Sequence, residues 1–507
     1  MSENKTKSSI FTMIVSMTNT ILLVILNLIY NKLVIETYGS EINGLISTLL
    51  QFVNLFMIAE GGFTTAAIVA TYEPIVKKKY EELNNVLYTA KKQFFWLGLG
   101  ISFAVLISGI VYLLFIDSPI SYIETYCLLF IMVMTTCTSM SFYSKYSILL
   151  YGDNKEYVLT LTNIFAKLFT WIISIVLIIQ HKNIIIVYLM NLVYILIAIL
   201  FARIYEKKRY KYVTYKGVYN KELIKGTGDV VFQKIASTIF TSTDLVLISV
   251  CIDFKAASVY NLYFQIFKSV MTALSSVIMA PFNSFGQIFN SGNEIEKGRK
   301  YFNIYEKITL LFSTIILSIA SIATIPFVKI YTKKFVDANY VSAFLVILFF
   351  SQMYAQIVNR PYGVLLNVTG NFKMQNRQCL LGAIVNIIVS VMFVDTYGMY
   401  SIIFGSFVGT CIILVMNIWQ AYKKVLKQSM FRSVVVASAN FIMGLLLIII
   451  SMRIDIIANN YFVLCAKTCV IGIFSTLVII AINYLLDKNG MREVHKYIFS
   501  IFKSKNK

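Results

Sequence analysis

Residues 184–225 read IIIVYLMNLVYILIAILFARIYEKKRYKYVTYKGVYNKELIK. An apolar run long enough to cross a bilayer leads straight into a segment holding seven lysines and arginines. The same alternation recurs along the 507-residue chain, of which 58% is hydrophobic and 14% charged. A soluble domain of this size could not bury so much apolar surface, because much of its exterior must face water. A helical span needs roughly 20 apolar residues. Windows of that size place spans near 10–35, 42–71, 93–116, 122–150, 157–180, 184–205, 226–252, 256–285, 301–330, 340–367, 374–394, 397–422, 431–452 and 460–486. The expectation is an all-α polytopic membrane protein with fourteen transmembrane helices. The first stretch is too long for a signal-peptide core and reads as a retained helix.

The net charge of +21 raises nucleic acid as a partner, but its distribution argues against one. With a cytoplasmic N-terminus, the inward loops carry Lys77, Lys78, Lys79, Lys91 and Lys92, then the basic run above, then Lys297, Arg299, Lys300, Lys373, Arg377, Lys423, Lys424, Lys427 and Arg432. The outward loops carry Lys182, Lys255, Arg453 and one cluster of Lys329, Lys333 and Lys334. That asymmetry is the positive-inside pattern, so both termini are expected in the cytoplasm. The basic loops read as topology signals and lipid-surface anchors, not as a nucleic-acid surface. The seven cysteines show no metal-type spacing, and the two histidines, His181 and His495, lie outside the spans. No metal site, cofactor or serine–histidine–aspartate chemistry is expected, and the chain does not read as an enzyme.

The longest polar interval between spans, 206–225, divides the chain. The expected organisation is a six-helix bundle over 1–205, a basic cytoplasmic linker over 206–225, a second six-helix bundle over 226–423, two more helices within 424–486 and a basic cytoplasmic tail over 487–507. Faint internal similarity supports duplication. LLYGDNKEY at 149–157 parallels LLNVTGNFKMQ at 365–375, and the turn Tyr38–Leu45 occupies the place in its half that Asp253–Ala257 occupies in the other. Two homologous bundles are a common transporter plan. Residues 76–92 read as a helix lying on the cytoplasmic leaflet.

Polar residues within the spans fall on faces. At about 100° per residue, Asn261, Gln265, Lys268, Thr272, Ser275 and Ser276 share one sector. So do Gln233, Lys234, Ser237, Thr241 and Asp244. Further faces carry Asn27 and Asn31; Gln51 and Asn54; Thr160, Asn163, Lys167, Thr170 and Ser174; and Gln352, Gln356, Asn359 and Asn367. Such stripes cannot face lipid. Hydroxyls and amides could simply join helices. Ionised groups within a span mark a pathway, or a structural ion pair such as Lys234 or Lys268 with Asp244. Arg360 fits a phosphate contact or a headgroup contact. Glu60 and Asp244 are candidates for coupling a cation or proton, and Glu60 could equally pair with a lysine. A pathway dominated by Lys and Arg among amides suits an anionic, heavily hydroxylated substrate.

The chain resembles a Wzx-type polysaccharide flippase of the multidrug/oligosaccharidyl-lipid/polysaccharide exporter superfamily. The likeness covers about residues 10–486 and is carried by TYGSEINGLIST, KYSILLYGDNKEY, STDLVLIS and MAPFNSFGQIF. It implies two pseudo-symmetric bundles forming a V, a central cavity and alternating access. The implied substrate is an undecaprenyl-diphosphate-linked oligosaccharide, moved to the outer leaflet of the bacterial cytoplasmic membrane for capsule, exopolysaccharide or O-antigen assembly. Substrate contacts are then expected from Lys268, Lys234, Lys167, Arg360, Asn261, Gln265, Asn27, Asn31, Gln51 and Asn54. Membrane lipids, a polysaccharide polymerase and glycosyltransferases of the same pathway are the implied partners. The rivals are a cation-coupled multidrug antiporter of the same fold and a membrane glycosyltransferase or polymerase. The latter would need a large outer loop, and the outward loops here are short.

Overall fold

The computed structural model describes residues 2–224, 242–279, 295–369, 371–454 and 458–504. These residues form helices and no strand. Eleven of the helices are long and apolar enough to cross a membrane, so this is a multi-pass membrane protein. They meet eleven of the fourteen expected stretches. Stretch 42–71 is two helices, α2 (Ser40–Phe56) and α3 (Ile58–Val76), joined at Met57. Stretch 226–252 is described from Ser242 onward, as the short helix Ser242–Cys251. Stretch 256–285 is described as far as Met279, as the helix Phe254–Ile278, which carries the polar stripe and is not among the eleven.

Packing divides the chain into two compact units, Met1–Ser258 and Val259–Lys507. The first contains α1 (Ser2–Tyr38), α2, α3, α4 (Tyr80–Leu113), α5 (Tyr122–Thr138), α6 (Ser144–Gly152), α7 (Glu156–Ile179), α8 (Ile184–Arg209) and α9 (Ser242–Cys251). A single π-helical turn, Ser139–Tyr143, links α5 to α6 within one span. Its core gathers Leu45, Leu49, Phe52, Val105, Tyr112, Leu129 and Val187. Phe52 stacks on Tyr112 at 5.0 Å, and the Tyr112 hydroxyl meets Ser249 of α9 at 2.8 Å.

The two turns expected at corresponding places of the two halves, 38–45 and 253–257, lie side by side in this unit. Gly39, with φ of 90°, separates α1 from α2. A Cβ on Gly44 would run into the Phe254 carbonyl, so α2 touches backbone there. Asn43 donates to Ser258 Oγ at 2.7 Å, and Lys255 pairs with Glu41 at 3.2 Å.

Residues 80–92 are the first turns of the spanning helix α4, not a separate surface helix. Nothing between Tyr80 and Leu113 breaks it: there is no proline, and Glu81 and Glu82 in its first turn suit the helix dipole. The polar stretch after α8 is also ordered. The Asn84 carbonyl oxygen accepts the Thr214 and Tyr215 N–H groups at 2.7 and 3.2 Å, and Asn85 accepts that of Val218 at 2.8 Å. Burial pushes the Tyr215 hydroxyl above its ordinary value.

The second unit contains the rest of α10 (Phe254–Ile278), then α11 (Ile295–Tyr331), α12 (Ala343–Val358), α13 (Arg360–Val368), α14 (Phe372–Tyr397), α15 (Met399–Gln420), α16 (Phe431–Arg453), α17 (Tyr461–Leu486) and α18 (Lys488–Ser504). A π-helical turn, Ala421–Leu426, follows α15. Helices α14 and α15 meet through small residues: a Cβ on Gly405 would strike Asn386 and Ser390. That is a common membrane packing mode. Asn440 on α16 and Asn483 on α17 exchange reciprocal amide hydrogen bonds, both 2.9 Å.

At the end of α17, Asp487 is buried and takes Lys307 at 3.1 Å, the Gly490 N–H at 2.7 Å, and Arg432. Burial raises this carboxyl, but the Gly490 N–H, Lys307 and Arg432 outweigh it and hold the group below its ordinary value. A depressed carboxylate stabilises the fold above its unfolded pKa, and that contribution disappears as pH falls through the folded value. Asp487→Asn is therefore expected to cost roughly 3 kcal/mol at neutral pH. The gap to the parent protein should close on acidification, read as thermal unfolding in detergent at several pH values.

Candidate functional site

In the first unit, Lys167 is half-buried on α7. Its amine lies 5.2 Å from the Trp171 ring centre and 5.9 Å from that of Tyr194 on α8. Trp171 stacks on Tyr30 of α1 at 6.2 Å, and Tyr30 meets Tyr188 edge-on at 6.5 Å. The Asn163 carbonyl oxygen, one turn before Lys167, accepts from the Tyr143 and Tyr194 hydroxyls, both at 3.2 Å. The helix repeat explains the grouping: 163, 167 and 171 share one face of α7, and 27, 30 and 31 share one face of α1. Asn27 is exposed and Asn31 half-buried beside Tyr30. The result is a cation held against aromatic faces within the membrane-spanning part, with amides next to it.

In the second unit, Lys268 on α10 is exposed, its amine 5.1 Å from the Phe264 ring centre. Asn261 is buried and Gln265 half-buried on the same helix. Several hydroxyls of the predicted stripes are spent on their own helices. Thr272 donates to the Lys268 carbonyl, Ser276 to that of Ala273, Thr160 to that of Glu156 and Thr170 to that of Ala166. Such back-bonding removes the proton a ligand would use. The amides and amines are what these faces offer.

The remaining predicted residues are spread out. Gln51 is half-buried and Asn54 exposed on α2, and Glu60 is half-buried on α3. Arg360 opens α13 and is exposed, next to Asn359, which accepts from Asn417 at 2.9 Å. Asp244 is buried on α9 within the first unit, where Thr48 donates to the Leu245 carbonyl at 3.5 Å. Lys234, with Gln233, Ser237 and Thr241, lies outside the described residues, so the proposed Lys234–Asp244 pair does too. Among the described residues no group of His, Cys, Asp and Glu is arranged to hold a metal.

Sequence reasoning passed over Tyr30, Trp171, Tyr188 and Tyr194. Part of the signal was present: Tyr30 on α1 and Trp171 on α7 stand within one turn of polar positions already singled out, while α8, which carries Tyr188 and Tyr194, offered none.

No family model matches the chain, and no curated protein matches it. Solved structures do. A lipid II flippase MurJ in an inward closed conformation superposes with a TM-score of 0.66 at 15% identity, covering 94% of this chain and 99% of that one. An inward-facing multidrug resistance MATE family transporter of the MOP superfamily gives 0.60 at 14%, covering 87% and 99%. A eukaryotic MATE transporter, AtDTX14, gives 0.52 at 14%, covering 87% and 99%. The chain has the all-helical fold that the lipid II flippase and the MATE transporters share.

Proposed function

We propose that this protein is a flippase for undecaprenyl-diphosphate-linked oligosaccharides, carrying them from the inner to the outer leaflet of the bacterial cytoplasmic membrane for surface-polysaccharide assembly. It acts by alternating access, with both termini in the cytoplasm, and is not an enzyme. The observation that carries the reading is two lysines, Lys167 on the spanning helix α7 and Lys268 on α10, each held against an aromatic ring among amides. A diphosphate cannot enter hydrocarbon unless its charge is offset. Amines offset it, and Asn and Gln side chains hydrogen-bond sugar hydroxyls. Likeness in fold to a lipid II flippase supports a lipid-linked substrate. The pathway's polymerase and glycosyltransferases are the proposed partners.

A cation-coupled drug antiporter is the second reading. The MATE likeness and the buried Asp244 favour it. Vesicles containing the purified protein separate the two. A fluorescent undecaprenyl-diphosphate oligosaccharide in the inner leaflet is expected to become accessible to an external quencher, while a cationic dye is not pumped. Dye transport without lipid flipping would replace the first reading with the second.

A further inference from the structure

Glu306 lies on α11, inside the span Gly298–Tyr331, and is 4% exposed. Both carboxyl oxygens are occupied. The Tyr362 hydroxyl donates to Oε1 at 2.5 Å, and the Tyr422 and Ser433 hydroxyls each donate to Oε2 at 2.8 Å. The Tyr422 and Ser433 hydroxyls also touch each other. Three separate elements supply this cage: α13, the π-helical turn and α16. A π turn inside or at the end of a spanning helix is frequently a functional feature, and here it carries Tyr422.

The nearest charge, Lys307, acts on Glu306 through space but is paired with Asp487. Lys307 and Arg432 both engage Asp487. Tyr305 donates to the Ile278 carbonyl at 2.6 Å, and Tyr354 on α12 donates to the Ala437 carbonyl at 3.0 Å. Arg360 on α13 is exposed, and His495 on α18 meets Tyr484 of α17 at 3.5 Å. None of the described basic side chains forms an ion pair with Glu306. A buried carboxylate without a cation is costly, which favours holding a proton. Three hydroxyl donors favour releasing it. The cage satisfies both states. With the carboxylate charged, all three hydroxyls donate to it. With the carboxyl protonated, Tyr422 or Ser433 turns to accept its proton and donates to the other, because a hydroxyl both gives and takes. A permanent structural tie would need only one of these arrangements.

We propose that Glu306, caged by Tyr362, Tyr422 and Ser433, is a proton-exchanging site that sets how the π-helical turn and α16 are held on α11. It is distinct from Asp244 and Glu60, and it does not depend on which substrate is carried.

Infrared difference spectra of the full-length protein in lipid vesicles, recorded across about pH 5 to 9, test it. A protonated-carboxyl stretch is expected to grow as pH falls and to vanish in Glu306→Gln. Tyr422→Phe keeps the carboxyl and removes one donor to its charged form, so the midpoint should move up by about one pH unit. A titrating band that survives in folded Glu306→Gln overturns the assignment. So does the absence of any such band, or a midpoint unmoved by Tyr422→Phe. If Glu306→Gln does not fold, the Tyr422→Phe midpoint decides alone.

Discussion

Lipid flipping by the Lys167→Gln, Lys268→Gln double variant is expected to fall to the rate of protein-free vesicles. Each amine stands against an aromatic face, Lys167 within the spanning helix α7 and Lys268 on the polar stripe of α10. A charge-assisted contact is worth about 1.5–3 kcal/mol, so each single change should cost roughly 10- to 100-fold. Gln keeps hydrogen-bonding ability in a side chain one bond shorter but not the charge, so most of the packing against Trp171 and Phe264 is retained. Lys→Arg should keep part of the activity, since the charge stays while the compact amine becomes a wide fork. Elution as a monodisperse species and an unchanged melting temperature would establish that the double variant is folded. Flipping at the parent rate by that folded double variant would show that the two lysines serve packing alone.

The second large effect is on assembly. Gly44→Ala places a methyl group on the Phe254 carbonyl. The obstacle is backbone, so no rotamer change relieves it. The two turns must separate, which stretches the buried bond from Asn43 to Ser258. Overpacking of this kind costs about 3 kcal/mol, and Gly44→Leu should leave no folded protein. Gly100 supplies the control. Nothing lies within 4 Å of a Cβ built there, in the interior of α4. Gly100→Ala should be neutral or slightly stabilising, because alanine is the better helix former. Comparing folded yield and melting temperature of the two alanine variants checks the contact. Equal behaviour would mean that α2 and the Phe254 turn do not touch in the folded protein.

Eleven of the fourteen expected spans were readable from sequence because a bilayer imposes one length on every crossing helix. Breaks within a span were less so. The apolar run 42–71 hides the junction at Met57, since hydropathy averages over a residue that leaves the helix without becoming polar. Periodicity found the faces that carry Lys167 and Lys268. It could not tell which hydroxyls turn back on their own helix, as Thr170 and Thr272 do, because the same spacing serves both uses. Glu306 showed in sequence only as a carboxylate within the stretch 301–330, with nothing local to name its partners. Its partners stand 56, 116 and 127 positions away, and only the packed helices bring them together.

The reciprocal pair Asn440–Asn483 bears on how the last helices enter the bilayer. Alone in hydrocarbon, each amide would be a liability; facing each other, each gives one N–H to the other's oxygen, and its second N–H returns to its own helix. Sliding α16 past α17 by one turn would orphan both. The pair thus acts as a key that accepts one alignment. The final hairpin has a reason to insert as a preassembled couple, its depth and register set before it meets the rest of the unit.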